Sequence, residues 1–186
     1  MRENVGREIM VEIELERSFL AKRIPSELEN CKNYVKKEII DLYLPKAFPH
    51  PTIRIRKQGN NYIITKKVPL DFKNFTKFEE QSIKIEEKEF NELLGLEAKK
   101  VEKERHYFDY KSHVAEVDVF KGDLEGLVVI EFEFKTIESM NSFEMPDFCL
   151  ADVSKEEFIA GGFLCGKKYS DIEKNLEKFG YIKLKN

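Results

Sequence analysis

Tryptophan is absent from the 186 residues, and cysteine and histidine occur only three times each. Cys31, Cys149 and Cys165 are too widely spaced for a zinc pattern and too few for a disulfide framework. Reduced thiols in a cytoplasmic protein are therefore expected. His50, His106 and His113 share no ligand spacing, and each is expected on the surface or in a loop. No apolar run approaches the roughly 20 residues that cross a bilayer, which argues against a membrane partner. The segment Met1–Met10 is charged and lacks an apolar core, so no secretory signal is expected there. An excess of one charge is missing too: 32 basic and 35 acidic residues leave a net charge of −3. That balance excludes bulk attraction to nucleic acid or to an anionic membrane. No low-complexity linker breaks the chain, so one domain over residues 1–186 is expected.

Charge itself is abundant. Charged residues make up 36% of the chain, against about a quarter in ordinary globular domains. These charges must coat a surface or fill an interior. They fall in strictly alternating segments. Val11–Glu16 sets apolar residues on one face and three carboxylates on the other. Thr52–Arg56 repeats the pattern with two arginines, and Asn61–Lys67 follows the turn signal Gly59-Asn60, which predicts a hairpin. Val101–Arg105, Ala115–Phe120 (Glu116 and Asp118 on one face) and Val128–Lys135 alternate as well. Period-two alternation predicts half-buried strands.

Helices are fewer. Pro25-Ser26-Glu27-Leu28 predicts a helix start with Ser26 as N-cap, and Cys31 falls inside that helix as a small buried residue. Glu86–Leu94 has a helical pattern. Ser154–Glu157 and Ser170–Glu173 read as capping boxes, the latter helix ending at Gly180. Many strands with few helices imply a large antiparallel sheet. Two arrangements remain open: a sheet with its charged face in water, which composition alone favours, or a closed barrel with the charges inside. Closure also removes exposed edges. Fifteen phenylalanines without tryptophan suit helix-to-barrel packing better than a base-stacking platform.

Two acidic pairs, Glu14-x-Glu16 and Glu131-x-Glu133, each place carboxylates on one side of a strand, about 7 Å apart. Such oxygens suit hard cations, Mg²⁺ or Mn²⁺. Basic residues recur at the same spacing in Arg54-x-Arg56 and Lys103-x-Arg105, joined by Lys66-Lys67. Arginine grips phosphate bidentately and lysine acts as a point charge. Each pair alone is usually a solvated face; together in one barrel they would hold a polyphosphate and its metal.

The order of these signatures resembles the CYTH, or triphosphate tunnel metalloenzyme, family over about Glu12 to Phe163. The family's opening E-x-E-x-K strand and Phe-Leu match Glu14 to Leu20. Its R-x-R, T-x-K and K-x-R strands match Arg54–Arg56, Thr65–Lys67 and Lys103–Arg105, which selects Lys67 over Lys66. Val117–Phe120, Gly126–Phe134, Pro146-Asp147-Phe148 and Asp152-Val153-Ser154 match the later motifs. The chain departs at Ser18, where the family has lysine and where Arg17 should face the wrong side to substitute. It departs again at Ala160-Gly161-Gly162, where many members have asparagine, and at the blurred strand Phe78–Gln81, where parity with Ile83 and Ile85 selects Glu80 over Glu79.

The resemblance implies an α+β, mainly β fold: a closed antiparallel eight-stranded β-barrel, open or nearly so at both ends, with helices packed on the outside. It implies phosphate binding by Arg54, Arg56, Lys67, Lys103 and Arg105, and Mg²⁺ or Mn²⁺ on Glu14, Glu16, Glu131 and Glu133. Glu14, Glu16, Lys103 and Arg105 are the expected catalytic residues. Glu80 and Asp118 are candidates for further metal contact or for orienting the bases. The implied partner is a triphosphate-containing small molecule, and a homodimer is open. Phe19-Leu20 and the Gly-Leu-Val-Val-Ile-Glu strand look like the bacterial phosphohydrolase branch, hence hydrolysis of inorganic or organic triphosphate. An adenylate cyclase, a non-catalytic polyphosphate- or nucleotide-binding module, and a lipid-carrier barrel without a polar interior are the alternatives.

Overall fold

The computed structural model describes residues 12–71 and 76–185. The N-terminal segment read as lacking a signal, and Val11 of the first alternating run, lie outside the described residues. Among those described, nine strands form one antiparallel sheet: β1 (Glu12–Ala21), β2 (Val35–Leu44), β3 (Ile53–Gln58), β4 (Asn61–Pro69), β5 (Lys77–Ile85), β6 (Lys99–Tyr110), β7 (His113–Phe120), β8 (Val128–Phe134) and β9 (Cys149–Asp152). Their order is β5-β4-β3-β2-β6-β7-β8-β1, and β1 pairs back with β5 over Glu12–Leu15, closing an eight-stranded barrel. Towards its end β1 leaves β5 and pairs with β9 instead. The Gly59-Asn60 hairpin forms as expected: Gln58 faces Asn61, and Gly59 adopts φ 58°, a left-handed conformation open to glycine.

The charges are inside. Pair by pair the register puts Glu16 beside Glu133, Ser18 beside Glu131, Arg105 beside Asp118 and Lys67 beside Glu80, all on the inner face. The solvated-sheet alternative is thereby overturned. The outer, apolar face must then be covered, because each fully buried phenylalanine contributes about 1.5–3 kcal/mol. Two structures cover it. Met140 of α2 (Ile137–Ser142), with Phe143 and Phe148, packs on Leu15, Phe19, Phe108, Val117, Ile130 and Phe132. Phe90 of α1 (Glu87–Leu93) packs on Leu42 and Ile55, with Leu44, Tyr62 and Ile64 beside them.

One end of the barrel is not open. There the inward positions turn apolar: Leu20, Tyr43, Val101, Phe120 and Val129 cluster with Ile159, with Leu164 of α3 (Gly161–Leu164) and with Ile172 and Leu176 of α4 (Tyr169–Glu177). The expectation of a tunnel open at both ends is corrected on this point. The C-terminal segment plugs one mouth, because apolar side chains at the strand ends need burial as much as those on the outer wall.

Several local expectations also fail. Ser26 is not an N-cap; residues 26–30 form a short 3-10 turn behind Pro25, and Cys31 ends that turn instead of lying in a helix. Ser154 caps no α-helix. Its hydroxyl donates to Asp152 Oδ1 (2.5 Å) and accepts the Ser18 N–H (3.0 Å). The last helix starts at Tyr169, one residue before Ser170, and its first turn is closed by Asp171, which accepts the Lys168 N–H at 2.8 Å. Gly180, at φ 67°, ends its final turn.

Candidate functional site

The barrel encloses a cavity of about 310 Å³. That lies at the small end of the range for small-molecule pockets and excludes a macromolecular ligand inside. Every expected phosphate-binding residue lines it: Arg54 and Arg56 from β3, Lys67 from β4, Lys103 and Arg105 from β6. So do Glu14 and Glu16 from β1, Glu131 and Glu133 from β8, and Glu80 from β5. Lys66 and Glu79 point the other way by the alternation of their strands. Asp118, on the same inner face but 1% exposed, does not line the cavity and instead bonds Arg105 and Lys103.

The basic side chains are held by a second layer of acids. Arg105 donates from Nε to Asp118 Oδ1 (2.5 Å) and from Nη2 to Asp118 Oδ2 and to Glu131 (both 2.6 Å), and its Nη1 pairs with Glu116. Lys103 shares Asp118. Burial works against the Asp118 charge, but Arg105 and Lys103 hold its carboxyl well below the usual range. Burial and the adjacent Arg105 lower the Lys103 pKa. Asp41 of β2, wholly buried, grips Arg56 with two parallel bonds, Nε to Oδ1 (2.6 Å) and Nη2 to Oδ2 (2.7 Å). Arg54 is different. Its nearest acid is Glu80 at 3.7 Å, and its buried Nε has no hydrogen-bond acceptor among the described residues. A buried donor in that state is costly unless a ligand supplies the acceptor.

On the acidic side, Lys67 Nζ donates to Glu16 (2.9 Å) and to Glu14, with Glu80 at 3.9 Å. Burial opposes the Glu14 charge, yet Lys67 keeps its pKa below normal. Glu16 is pushed up to about 8 by burial, with Glu131 and Glu14 adding to the rise. Glu133 is pushed up to about 7 by burial, Glu116 and Glu14. Carboxylates thus outnumber the basic groups around one small volume, and their mutual repulsion adds to the upward shifts of Glu16 and Glu133.

That imbalance tests the divalent cation the fold implies. Among the described residues, no three carboxylates, histidines or cysteines converge as a ready coordination shell. The donor chemistry nevertheless fits: Glu14, Glu16, Glu131 and Glu133 are hard oxygen donors on one cavity wall, and a divalent ion would supply positive charge where carboxylates are in excess.

Ser18 faces the cavity without charge, and Arg17 turns outward to Asp152 (2.6 Å) and to the Phe143 carbonyl (2.7 Å), so Arg17 does not substitute for the lysine that the resemblance implies at position 18. The Gly161-Gly162 departure has a steric cause. A Cβ on Gly161 would run into the Tyr43 hydroxyl, and one on Gly162 into the His50 ring. Of the histidines, His50 lies in a loop as expected, where it lines the cavity and stacks on Phe163 (4.5 Å between centroids), whereas His106 and His113 lie on β6 and β7.

Asp41 and Glu116 are the residues holding the basic groups that sequence reasoning missed. Glu116 shares its face with Asp118, so the alternation of β7 already marked it. Asp41 is the lone acid in the largely apolar run Ile39–Leu44, where no alternation marks a face. Removing it leaves Arg56 buried and unpaired, and Asp41→Asn should cost about 3–5 kcal/mol at pH 7. The Asp41 carboxyl sits below its ordinary pKa: burial pushes it up, but the Arg56 charge and hydrogen bonds more than offset this. Its contribution is therefore complete above the unfolded value of about 3.9 and drains as pH falls through the folded value. Urea unfolding of both proteins should show the gap narrowing below about pH 4; an unchanged gap would contradict the pairing.

Comparison with family profiles finds no match, and comparison with curated proteins finds none either. Solved structures do match. The protein NE1496, solved once as a hypothetical protein and once as an inorganic triphosphatase, aligns over 83% and 86% of this chain and 99% and 98% of its own, at 25% and 24% identity, with TM-scores of 0.61 and 0.60. A Bacillus halodurans protein provisionally described as an adenylate cyclase aligns over 95% of this chain and 94% of its own (15% identity, TM-score 0.52). A Hippeastrum protein, provisionally described as an adenylyl cyclase and reported with a dominant triphosphatase activity, aligns over 92% and 88% (12% identity, TM-score 0.50). Among the described residues, no helix is long and apolar enough to cross a membrane.

Proposed function

We propose that this chain, whose barrel has the fold of the triphosphate tunnel (CYTH) family, hydrolyses a triphosphate with Mg²⁺ or Mn²⁺ inside the barrel. The observation that carries the reading is the segregated charge of the cavity. Arg54, Arg56, Lys103 and Arg105 form one wall and Glu14, Glu16, Glu131 and Glu133 another, with a buried Arg54 Nε lacking an acceptor. A chain of phosphates bearing a divalent ion satisfies both walls at once.

Arg54 offers its free donor to a phosphate oxygen. Arg56 and Arg105, fixed by Asp41 and Asp118, present their remaining edges without reorganisation, which is how preorganised charge lowers a barrier. Lys103 adds a point charge where negative charge develops on the transferred group. A divalent ion on the glutamates would neutralise phosphate charge and activate the attacking water. Phosphoryl transfer needs mainly such positioning and charge stabilisation, so no nucleophilic serine or cysteine is called for. The free thiols of Cys31, Cys149 and Cys165 suit a reducing cytoplasm.

A class IV type of cyclase reaction is the second reading, supported by the barrel it would share with the Bacillus halodurans protein. The two separate by product. Purified protein with Mg²⁺ or Mn²⁺ and inorganic triphosphate, ATP or thiamine triphosphate should release orthophosphate. Cyclic AMP with pyrophosphate from ATP would transfer the assignment to the cyclase. Tight binding with no product would leave a binding module, and no metal-dependent triphosphate binding would remove all three.

A further inference from the structure

We propose that Lys67 is a built-in counter-ion of the acidic wall, which a divalent cation displaces and which then turns to the phosphate chain. The inference rests on the function proposed above, and it assigns this lysine a second role in the same site. Lys67 does not stand among the phosphate-binding residues in this structure. Its Nζ lies between Glu14 and Glu16, 2.9 Å from the latter and 3.9 Å from Glu80, with the Phe78 ring 4.2 Å beneath it. Two carboxylates, a third acid and an aromatic face make a complete cation site, and an ammonium occupies it.

A divalent ion and an ammonium cannot share Glu14 and Glu16. At contact distances and reduced dielectric their repulsion amounts to several kcal/mol. One must leave, and lysine is the movable one, a point charge on a flexible four-carbon stem. Arg54 shows where the ammonium goes. It faces Thr65 on the neighbouring strand, two residues from Lys67 and on the same face, and its buried Nε lacks an acceptor among the described residues. An anion placed there would draw Lys67 off the carboxylates, and a divalent cation on the carboxylates would push Lys67 toward the anion. Metal and phosphate then assist each other by more than their mutual attraction, and the assistance is reciprocal.

Titration of the metal-free full-length protein with Mn²⁺ alone, followed by calorimetry, tests this against Lys67→Met and Arg54→Met. Both variants remove one positive charge near Glu14, but only Lys67 touches it. Lys67→Met should bind Mn²⁺ about tenfold more tightly than wild type, within the usual span of coupling, and Arg54→Met much less so. A slowly hydrolysed imido analogue of triphosphate should tighten Mn²⁺ binding in wild type and do so far less in Lys67→Met. Lys67→Gln, which keeps a hydrogen-bond donor, serves if Lys67→Met does not fold. Equal effects of the two charge removals, or Mn²⁺ affinity unchanged or weakened by Lys67→Met, overturn the counter-ion role. If Mn²⁺-dependent phosphate release persists in that case, the proposed hydrolysis survives. Folded wild type and variants that all fail to bind Mn²⁺ reject both.

Discussion

Arg105→Met should be the most destabilising single substitution in the barrel wall, by about 3–5 kcal/mol at neutral pH. No other described side chain donates as many hydrogen bonds to acids: two to Asp118, one to Glu131 and one to Glu116. Methionine keeps the aliphatic bulk and removes the charge. Asp118 then retains only Lys103, and Glu116 and Glu131 are left beside each other across β7 and β8. Glu116, already raised by burial, would rise further without its nearest cation. The sign of the pH dependence follows. Uncompensated carboxylates take up protons on folding, so the variant should regain stability relative to wild type as pH falls from 8 towards 5. Adding Glu116→Gln should recover part of the loss, because contacting residues are not additive. Guanidinium unfolding of the two variants and wild type reads all of this. A loss under about 1 kcal/mol would mean that the network is decorative.

The barrel was legible where alternation is strict. β1, β3, β7 and β8 carry charge on one face and mainly apolar residues on the other, β6 alternates in sign, and β4 follows from its hairpin with β3, so the pattern located these strands and fixed which side chains share a cavity. β2 was not legible, because its outer row Ile40, Leu42, Leu44 and its inner row Ile39, Asp41, Tyr43 are both largely apolar. With no alternation, period two gives no signal, and Asp41 was lost with the strand. β9 has four residues and exists only because β1 turns away from β5, a tertiary event. The capping errors share one cause. Serine followed by glutamate three residues on marks a helix start only if the backbone continues as a helix. At Ser154 the hydroxyl instead ties the chain to Ser18 on β1, so the long-range contact outbid the local one.

Which way the charged faces point could not come from alternation, since period two is blind to inside and outside. The order of the acidic and basic pairs pointed inward only through the family resemblance. The folded chain supplies the physical reason: the outer face carries Phe19, Phe108 and Phe132, each buried under α2 and its flanking loops. Burial of each such ring contributes about 1.5–3 kcal/mol, and the charges turned inward are paired with one another there. The closed end follows from the same preference, since Leu20, Val101 and Val129 continue the inward rows of the acidic and basic strands as apolar residues.

Glu14→Gln should abolish metal-dependent phosphate release while leaving the fold intact. The glutamine keeps the shape and one oxygen acceptor but loses the charge a divalent ion requires. Charge stabilisation by a metal is worth several kcal/mol, and at about 1.4 kcal/mol per factor of ten the expected loss in kcat/KM is about 10²–10³-fold. Stability should move little, within about 1 kcal/mol of wild type. Lys67 keeps Glu16 at 2.9 Å, and removing the Glu14 charge relieves the repulsion that helps raise Glu16 to about 8. Relief of that repulsion gives a second readout: acid titration of the variant should show Glu16 ionising at lower pH than in wild type, as carboxyl resonances in NMR would report. Glu14→Asp, with the charge restored on a shorter stem, should regain part of the activity. Activity of Glu14→Gln within tenfold of wild type, with unfolding midpoints matched, would remove β1 from the reaction and leave the acidic wall as nothing more than a partner for Lys67.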